Sequence, residues 1–169
     1  MTSADYFTKS PDAYNYFLQP GYIYVPDRGV TISTVIGSSV SVTVYDRKRK
    51  IGGMNHFQFP FITGKDSTTA LYGNVATAAL IKMILVQGSK KKHLEAQIFG
   101  GAHNQKLCRK NIGIENIEIA KKVLLHKNIS VISEDTGGAK GRKIVFNTST
   151  NEIAVLKVDS LRSEDWYPY

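Results

Sequence analysis

The sequence predicts one domain of the mixed α/β (α+β) class, layered rather than built as a doubly wound parallel sheet. Three observations carry this. The chain has 169 residues, 42% of them hydrophobic, enough for one sizeable core and too few for two comfortable domains. Two stretches in its second half and middle repeat apolar residues at helical spacing. Shorter stretches of strand character lie on both sides of them, and no internal repeat or low-complexity linker divides the chain.

From the N-terminus, residues 1–20 read as an irregular arm rich in aromatic side chains (Tyr6, Phe7, Tyr14, Tyr16, Phe17), closed by a turn at Pro20-Gly21. The domain proper is expected over 21–160. Residues 21–25 and 30–36 are its first strands. Residues 40–45 alternate Val, Ser, Val, Thr, Val, Tyr, the pattern of a half-buried strand. The basic run 47–50 turns the chain, and 51–59 return as a partner strand, with Gly52-Gly53 allowing close backbone approach. In 67–86 the residues Leu71, Val75, Ala78, Ala79, Lys82, Met83 and Val86 recur at helical spacing. Ser67, Thr68 or Thr69 is placed to cap that helix and Gly88 to end it.

Residues 94–99 form a strand running into Gly100-Gly101-Ala102. A second helix over 114–126 puts Ile117, Ala120, Val123 and Leu124 on one face, with Asn128 near its stop. A strand at 130–133 leads into Asp135-Thr136-Gly137-Gly138. Segments 143–146 and 152–158 make a last hairpin, and 161–169 form a loose tail. About two helices and eight strands result.

Composition narrows the function. No apolar run reaches the roughly 18–20 residues that cross a bilayer, which speaks against membrane insertion. The opening residues Met1 to Tyr6 lack the basic and apolar regions of a signal peptide, and a single cysteine, Cys108, excludes an intrachain disulfide. A cytoplasmic protein is expected. The formal charge of +8 comes in clusters: Arg47-Lys48-Arg49-Lys50, Lys90-Lys91-Lys92, Lys106 with Arg109-Lys110, and Lys140 with Arg142-Lys143. Such a field speeds association with an acidic partner, and a solvated surface explains it equally well. No zinc-finger spacing or aromatic RNA-binding pattern accompanies it, so nucleic acid is not the expected partner. His93, His103 and His126 lack metal-ligand spacing. Cys108 is expected to be a small buried or half-buried residue, and Gly100-Gly101 and Gly137-Gly138 to be tight backbone rather than phosphate loops.

Ser33, Gly37-Ser38-Ser39 and His56 are the residues that suggest chemistry. Ser39 stands between a glycine-containing turn and an apolar strand, where backbone N–H groups can lie beside a nucleophile. His56, on the partner strand, can face Ser39 as a base, and Ser33 can accept from the other imidazole nitrogen. A histidine on a strand is more often structural, so these positions alone leave the matter open.

The residues around them resemble a known family. Val30 to Val42, with Gly37-Ser38-Ser39, then Tyr45-Asp46 and Gly52-Gly53-Met54-Asn55-His56-Phe57, resemble the CheD signature. Ala96-Gln97-Ile98-Phe99-Gly100-Gly101-Ala102 resembles its second block, and Asn111-Ile112-Gly113 with Asn116 its third. Glu134-Asp135-Thr136-Gly137-Gly138, Gly141-Arg142-Lys143 and Phe146-Asn147-Thr148 resemble its fourth. The blocks follow the family's order over about residues 20–158.

The resemblance implies a three-layer α/β/β sandwich related to the catalytic domain of cytotoxic necrotizing factor toxins. It implies hydrolysis of glutamine side chains in methyl-accepting chemoreceptors to glutamate and ammonia, without metal or organic cofactor. It also implies a receptor cytoplasmic domain as partner, with a CheC-like phosphatase of phosphorylated CheY as a second candidate partner. The family's histidine maps onto His56, its hydroxyl residue onto Ser33 and its nucleophilic cysteine onto Ser39. Gly37, Ser38, Gly100 and Gly101 are expected to form the substrate or oxyanion loop.

At position 39 the sequence departs from the family, since Gly-Ser-Cys is expected and Gly37-Ser38-Ser39 is present. A thiol beside an imidazole ionises near neutral pH, whereas a serine hydroxyl needs its proton removed during attack. The chain as it stands is therefore expected to be impaired or inactive. The serine is either an introduced replacement, which the intact surroundings favour, or a natural divergence in a non-catalytic adaptor that binds receptor or a CheC-like phosphatase.

Overall fold

The computed structural model describes residues 14–64 and 69–162. Its organising element is the strand Val40–Asp46 (β4), buried along its whole length. β4 sits at the centre of a five-stranded sheet. Ile51–Asn55 (β5) and Leu94–Gly100 (β6) flank it, with Ile23–Tyr24 (β2) and Ser130–Thr136 (β7) at the edges. β4 pairs antiparallel with both neighbours, and β6 pairs parallel with β7. A second sheet of four strands has the order Asn15–Phe17 (β1), Thr31–Ile36 (β3), Gly141–Asn147 (β8), Ile153–Val158 (β9). The helices are Gly73–Val86 (α1) and Ile112–His126 (α2). The described residues thus hold two helices and nine strands in two sheets, a mixed α+β architecture as expected.

Alternation along β4 explains why it is buried on both sides. Val40, Val42 and Val44 point one way and join Ala76, Leu80, Ile84, Ala96, Ile98, Ala120 and Leu124 in a cluster shared with the helices. A second cluster contains Met54 and Phe99 from the five-stranded sheet and Ile32, Ile36, Ile144 and Phe146 from the other. Each such fully buried side chain contributes about 1.5–3 kcal/mol.

Several elements differ from expectation. β1, parallel to β3, lies where an irregular arm was expected, and three residues carry too little periodicity to announce a strand. The arm's residues 1–13 and the tail's 163–169 lie outside the described residues. α1 begins at Gly73 rather than near 67, and its N-cap residue, Tyr72, makes no side-chain cap bond. The preceding segment is tied to itself instead: the N–H groups of Gln58 and Phe59 donate to Leu71 O, and Gly73 N donates to Phe59 O. Thr69 Oγ1 accepts from Leu71 N, ahead of the helix, while Ser67 and Thr68 lie outside the described residues.

The buried stripe of α1 is Gly73, Ala76, Thr77, Leu80, Ile81 and Ile84, not the stripe through Val75, Ala79 and Met83 read from the sequence. This helix is apolar nearly all round, so periodicity could not choose its inner face. α2 is capped by Asn111, whose Oδ1 accepts from Ile114 N at 3.1 Å. Asn128, at φ 56, follows its end in the left-handed conformation. No helix among the described residues is long and apolar enough to cross a membrane.

The feature that matters most for the site is a crossing between sheets. β3 ends at Ile36 in the four-stranded sheet and β4 starts at Val40 in the five-stranded one. Only Gly37-Ser38-Ser39 spans the step.

Candidate active site

Hairpin register brings Ser39 and His56 together. β4 pairs with β5 so that Thr43 faces Met54, and a further bridge joins Val40 to Phe57. Continued, this pairing sets His56 opposite Ser41, with Ser39 two residues along on the same face as a diagonal neighbour. His56 Nε2 lies 2.9 Å from Ser39 Oγ. The backbone of His56 is pinned at both groups: its N–H donates to Tyr22 O at 3.1 Å and its carbonyl accepts from Gly21 N at 2.8 Å.

The other ring nitrogen, Nδ1, lies 2.8 Å from Thr34 Oγ1, which is itself 2.7 Å from Leu18 O. This chain of contacts decides the tautomer. A carbonyl only accepts, so the Thr34 hydroxyl donates its single proton to Leu18 O. Thr34 Oγ1 then accepts from Nδ1–H. Nε2 is left unprotonated and accepts from Ser39 Oγ–H. Thr34 and His56 are fully buried and Ser39 is 7% exposed. Burial lowers the His56 pKa to about 4, against a smaller opposing effect of the Leu18 carbonyl. The ring is neutral at pH 7, the state a base needs.

All three carbonyls of the crossing turn are held by the fold. Gly37 O accepts from Ala102 N at 2.9 Å and Ser39 O from Gly101 N at 2.8 Å. Ser38 O accepts from Asn116 Nδ2 at 2.9 Å. No backbone carbonyl among the described residues accepts from Ser38 N or Ser39 N.

A family model described as CheD chemotactic sensory transduction matches residues 60–157. Curated relatives cover more of the chain. A probable chemoreceptor glutamine deamidase CheD of Trichlorobacter lovleyi is 40% identical over 142 residues, 82% of this chain and 87% of the relative. The protein of the same description from Sulfurimonas denitrificans is 32% identical over 84% of this chain and 93% of its own length. That from Methylobacillus flagellatus is 34% identical over 94% and 81%. The chain belongs to the CheD family.

Within this CheD-family fold, Ser33 does not meet His56; the hydroxyl at Nδ1 is that of the next residue, Thr34. Neighbouring side chains on a strand point to opposite faces, so a shift of one residue exchanges them. The signal was present in the sequence. Thr34 lies midway between Ile32 and Ile36, and all three are fully buried on one face of β3, whereas Ser33 is only half-buried.

Gly100 and Gly101 shape the backbone behind the turn. The N–H of Gly101 is committed to Ser39 O. Both have positive φ, +106° and +70°, and a Cβ on Gly100 would lie 2.3 Å from Ser39 O. They let β6 close against the turn from behind. Gly137 and Gly138 support the same region more remotely: Gly137 N donates to Gly100 O, and Gly138 O accepts from His103 N. The buried Arg142 binds Asp135 at 3.0 Å and Gly137 O at 2.8 Å.

A cleft of about 420 Å³ opens beside the turn, with Gly37, Ser38, Ala102, Leu107, Ile112 and Leu161 in its walls. Cys108 also lines it and is exposed, not buried or half-buried as the sequence suggested. It lies in the polar and basic segment between β6 and α2, which offers it no core to enter. Its Sγ–H donates to the carbonyl of Lys110, at 3.3 Å.

Proposed function

We propose that the chain is a cytoplasmic chemotaxis protein built to hydrolyse the side-chain amide of glutamines in chemoreceptors, with Ser39 at the nucleophile position and activity correspondingly low. The observation that carries this is the buried chain of contacts from Ser39 through His56 to Thr34. The relatives' description as probable chemoreceptor glutamine deamidases supplies the substrate class. The arrangement of helices, five-stranded sheet and four-stranded sheet fits the three-layer α/β/β sandwich, related to the cytotoxic necrotizing factor catalytic domain, that the resemblance implies. The catalytic unit extends to about residue 160 and begins ahead of residue 21, because β1 pairs with β3 and Leu18 O holds the Thr34 hydroxyl.

With a thiol at position 39, His56 takes its proton and the thiolate attacks the glutamine carboxamide carbon. The N–H groups of Ser38 and of residue 39 face the developing oxyanion. His56 then gives that proton to the departing amide nitrogen, which leaves as ammonia, and a thioester remains. Water, deprotonated by His56, cleaves it to glutamate and restores the thiol. Thr34 holds the ring in the tautomer that each step requires. With serine, the neutral His56 has to remove a hydroxyl proton during attack, and the longer C–S geometry of the site is not met. The basic surface, +8 overall, steers the chain to receptor helices rich in Glu and Gln.

The reading is tested by mass spectrometry of a receptor cytoplasmic fragment incubated with the chain, with Ser39→Cys, and with Ser39→Cys/His56→Ala. The expected outcome is a gain of about one dalton per modified glutamine with Ser39→Cys alone, the double variant being slower by on the order of 10²–10⁴-fold. No gain with any of them would shift the weight to a second reading. The absent thiol itself favours that one: an adaptor that binds receptor or a CheC-like phosphatase without chemistry.

A further inference from the structure

We propose that Asn116 is a positioning residue, holding the turn that carries Ser39 and the segment that follows His56 at a fixed separation. The proposal rests on the deamidase reading of the same site. Asn116 lies on the second turn of α2 and is fully buried. Its Nδ2 donates to Ser38 O at 2.9 Å and to Gln58 O at 3.0 Å. Ser38 directly precedes Ser39, and Gln58 stands two residues after His56. One amide nitrogen therefore joins the two stretches of backbone whose separation sets the contact between Ser39 and His56.

The chemistry of this contact is specific. Two carbonyl oxygens converge on one atom, and only a group with two protons in a fixed fork satisfies both. The reversed amide would set Oδ1 against both oxygens, so the partners determine the orientation. Oδ1 itself is buried with no hydrogen-bond partner among the described residues. An apolar side chain of similar size would avoid that cost but would leave Ser38 O and Gln58 O without this donor.

The helix is brought close enough for the contact by Gly113. A Cβ there would fall 2.3 Å from Gly101 O and 2.6 Å from Ala102 O. The first turn of α2 thus rests on the segment whose N–H groups hold Gly37 O and Ser39 O, and Asn116 completes the grip on Ser38 O between them. Without it, the middle carbonyl of the turn loses its anchor and position 39 is free to move relative to the imidazole.

The test uses the reactivity of a thiol at position 39, which needs no receptor. In a Ser39→Cys/Cys108→Ser background, the rate of alkylation by iodoacetamide is measured from pH 5 to 10, alone and with Asn116→Ala or His56→Ala added. In the background chain the thiol titrates below the free value of about 8.5, and this depends on His56. Asn116→Ala is expected to slow alkylation at pH 7 about tenfold and to raise the apparent thiol pKa by about one unit, with cooperative thermal unfolding retained. A rate and profile equal to those of the background chain would overturn the proposal. Should Asn116→Ala not fold, Asn116→Ser, which fills more of the space but is too short to reach both carbonyls, is measured in its place. Failure of both to fold would also overturn the proposal, making Asn116 a pillar of the fold. A background thiol that titrates like free cysteine whether or not His56 is present would sink the deamidase reading and this proposal with it.

Discussion

Cys108 lines the cleft beside the turn that carries Ser39, and comparing the two residues separates the identity of an atom from its surroundings. Cys108 has the intrinsically better nucleophile, but its sulfur touches one backbone carbonyl on an exposed loop. Ser39 has the weaker atom, yet it heads a buried line of contacts to His56, Thr34 and Leu18 and sits on a turn whose three carbonyls are all held. Activation comes from a base, a fixed tautomer and placed donors, and among the described residues no imidazole is hydrogen-bonded to Cys108. A thiol without a base beside it is a surface residue; a base and its supports without the thiol are a site waiting for it.

The largest effect that separates the two regions is one of pH. Burial holds the His56 pKa at about 4, below the ordinary value of 6.5. Between those values the unfolded chain binds a proton that the folded chain does not, so stability rises with pH across the interval and is lost as pH falls through it. The loss from this group is about 3 kcal/mol on going from pH 7 to below pH 4. Urea denaturation of the chain and of His56→Gln across that range should show a distinctly flatter pH dependence in the variant. Equal slopes would mean that the imidazole is not buried and neutral.

A smaller effect distinguishes Thr34 from its neighbour. In Ser39→Cys, Thr34→Val removes the acceptor of Nδ1–H and should lower deamidation about tenfold, the equivalent of one hydrogen bond of about 1.4 kcal/mol. Ser33→Ala, on the other face of β3, should leave the rate unchanged. A drop with Ser33→Ala instead would restore the assignment suggested by the sequence. The smallest effect belongs to Cys108: Cys108→Ser should change stability by less than about 0.5 kcal/mol and leave deamidation by Ser39→Cys intact.

Much of the fold was legible because its signals are local. The alternation in Val40 to Tyr45 is the pattern of β4, the basic run after it is the hairpin turn, and Gly88 and Asn128 stand where α1 and α2 end. Where local signals were weak, so was the reading. α1, apolar on nearly every side, concealed its inner face, and β1 was too short to show a period.

By itself the sequence determined the α+β class, the hairpin that carries Ser39 and His56, and membership of the CheD family. Tertiary structure alone decided which hydroxyl orients the imidazole, what Gly101 does with its N–H, and that Asn116 reaches a carbonyl 78 residues away. The physical reason is the range of the interactions. Periodicity and turn chemistry act within a few residues and are written along the chain. Hydrogen bonds between two sheets and a helix depend on which face of each element turns inward, and only packing of the whole core settles that.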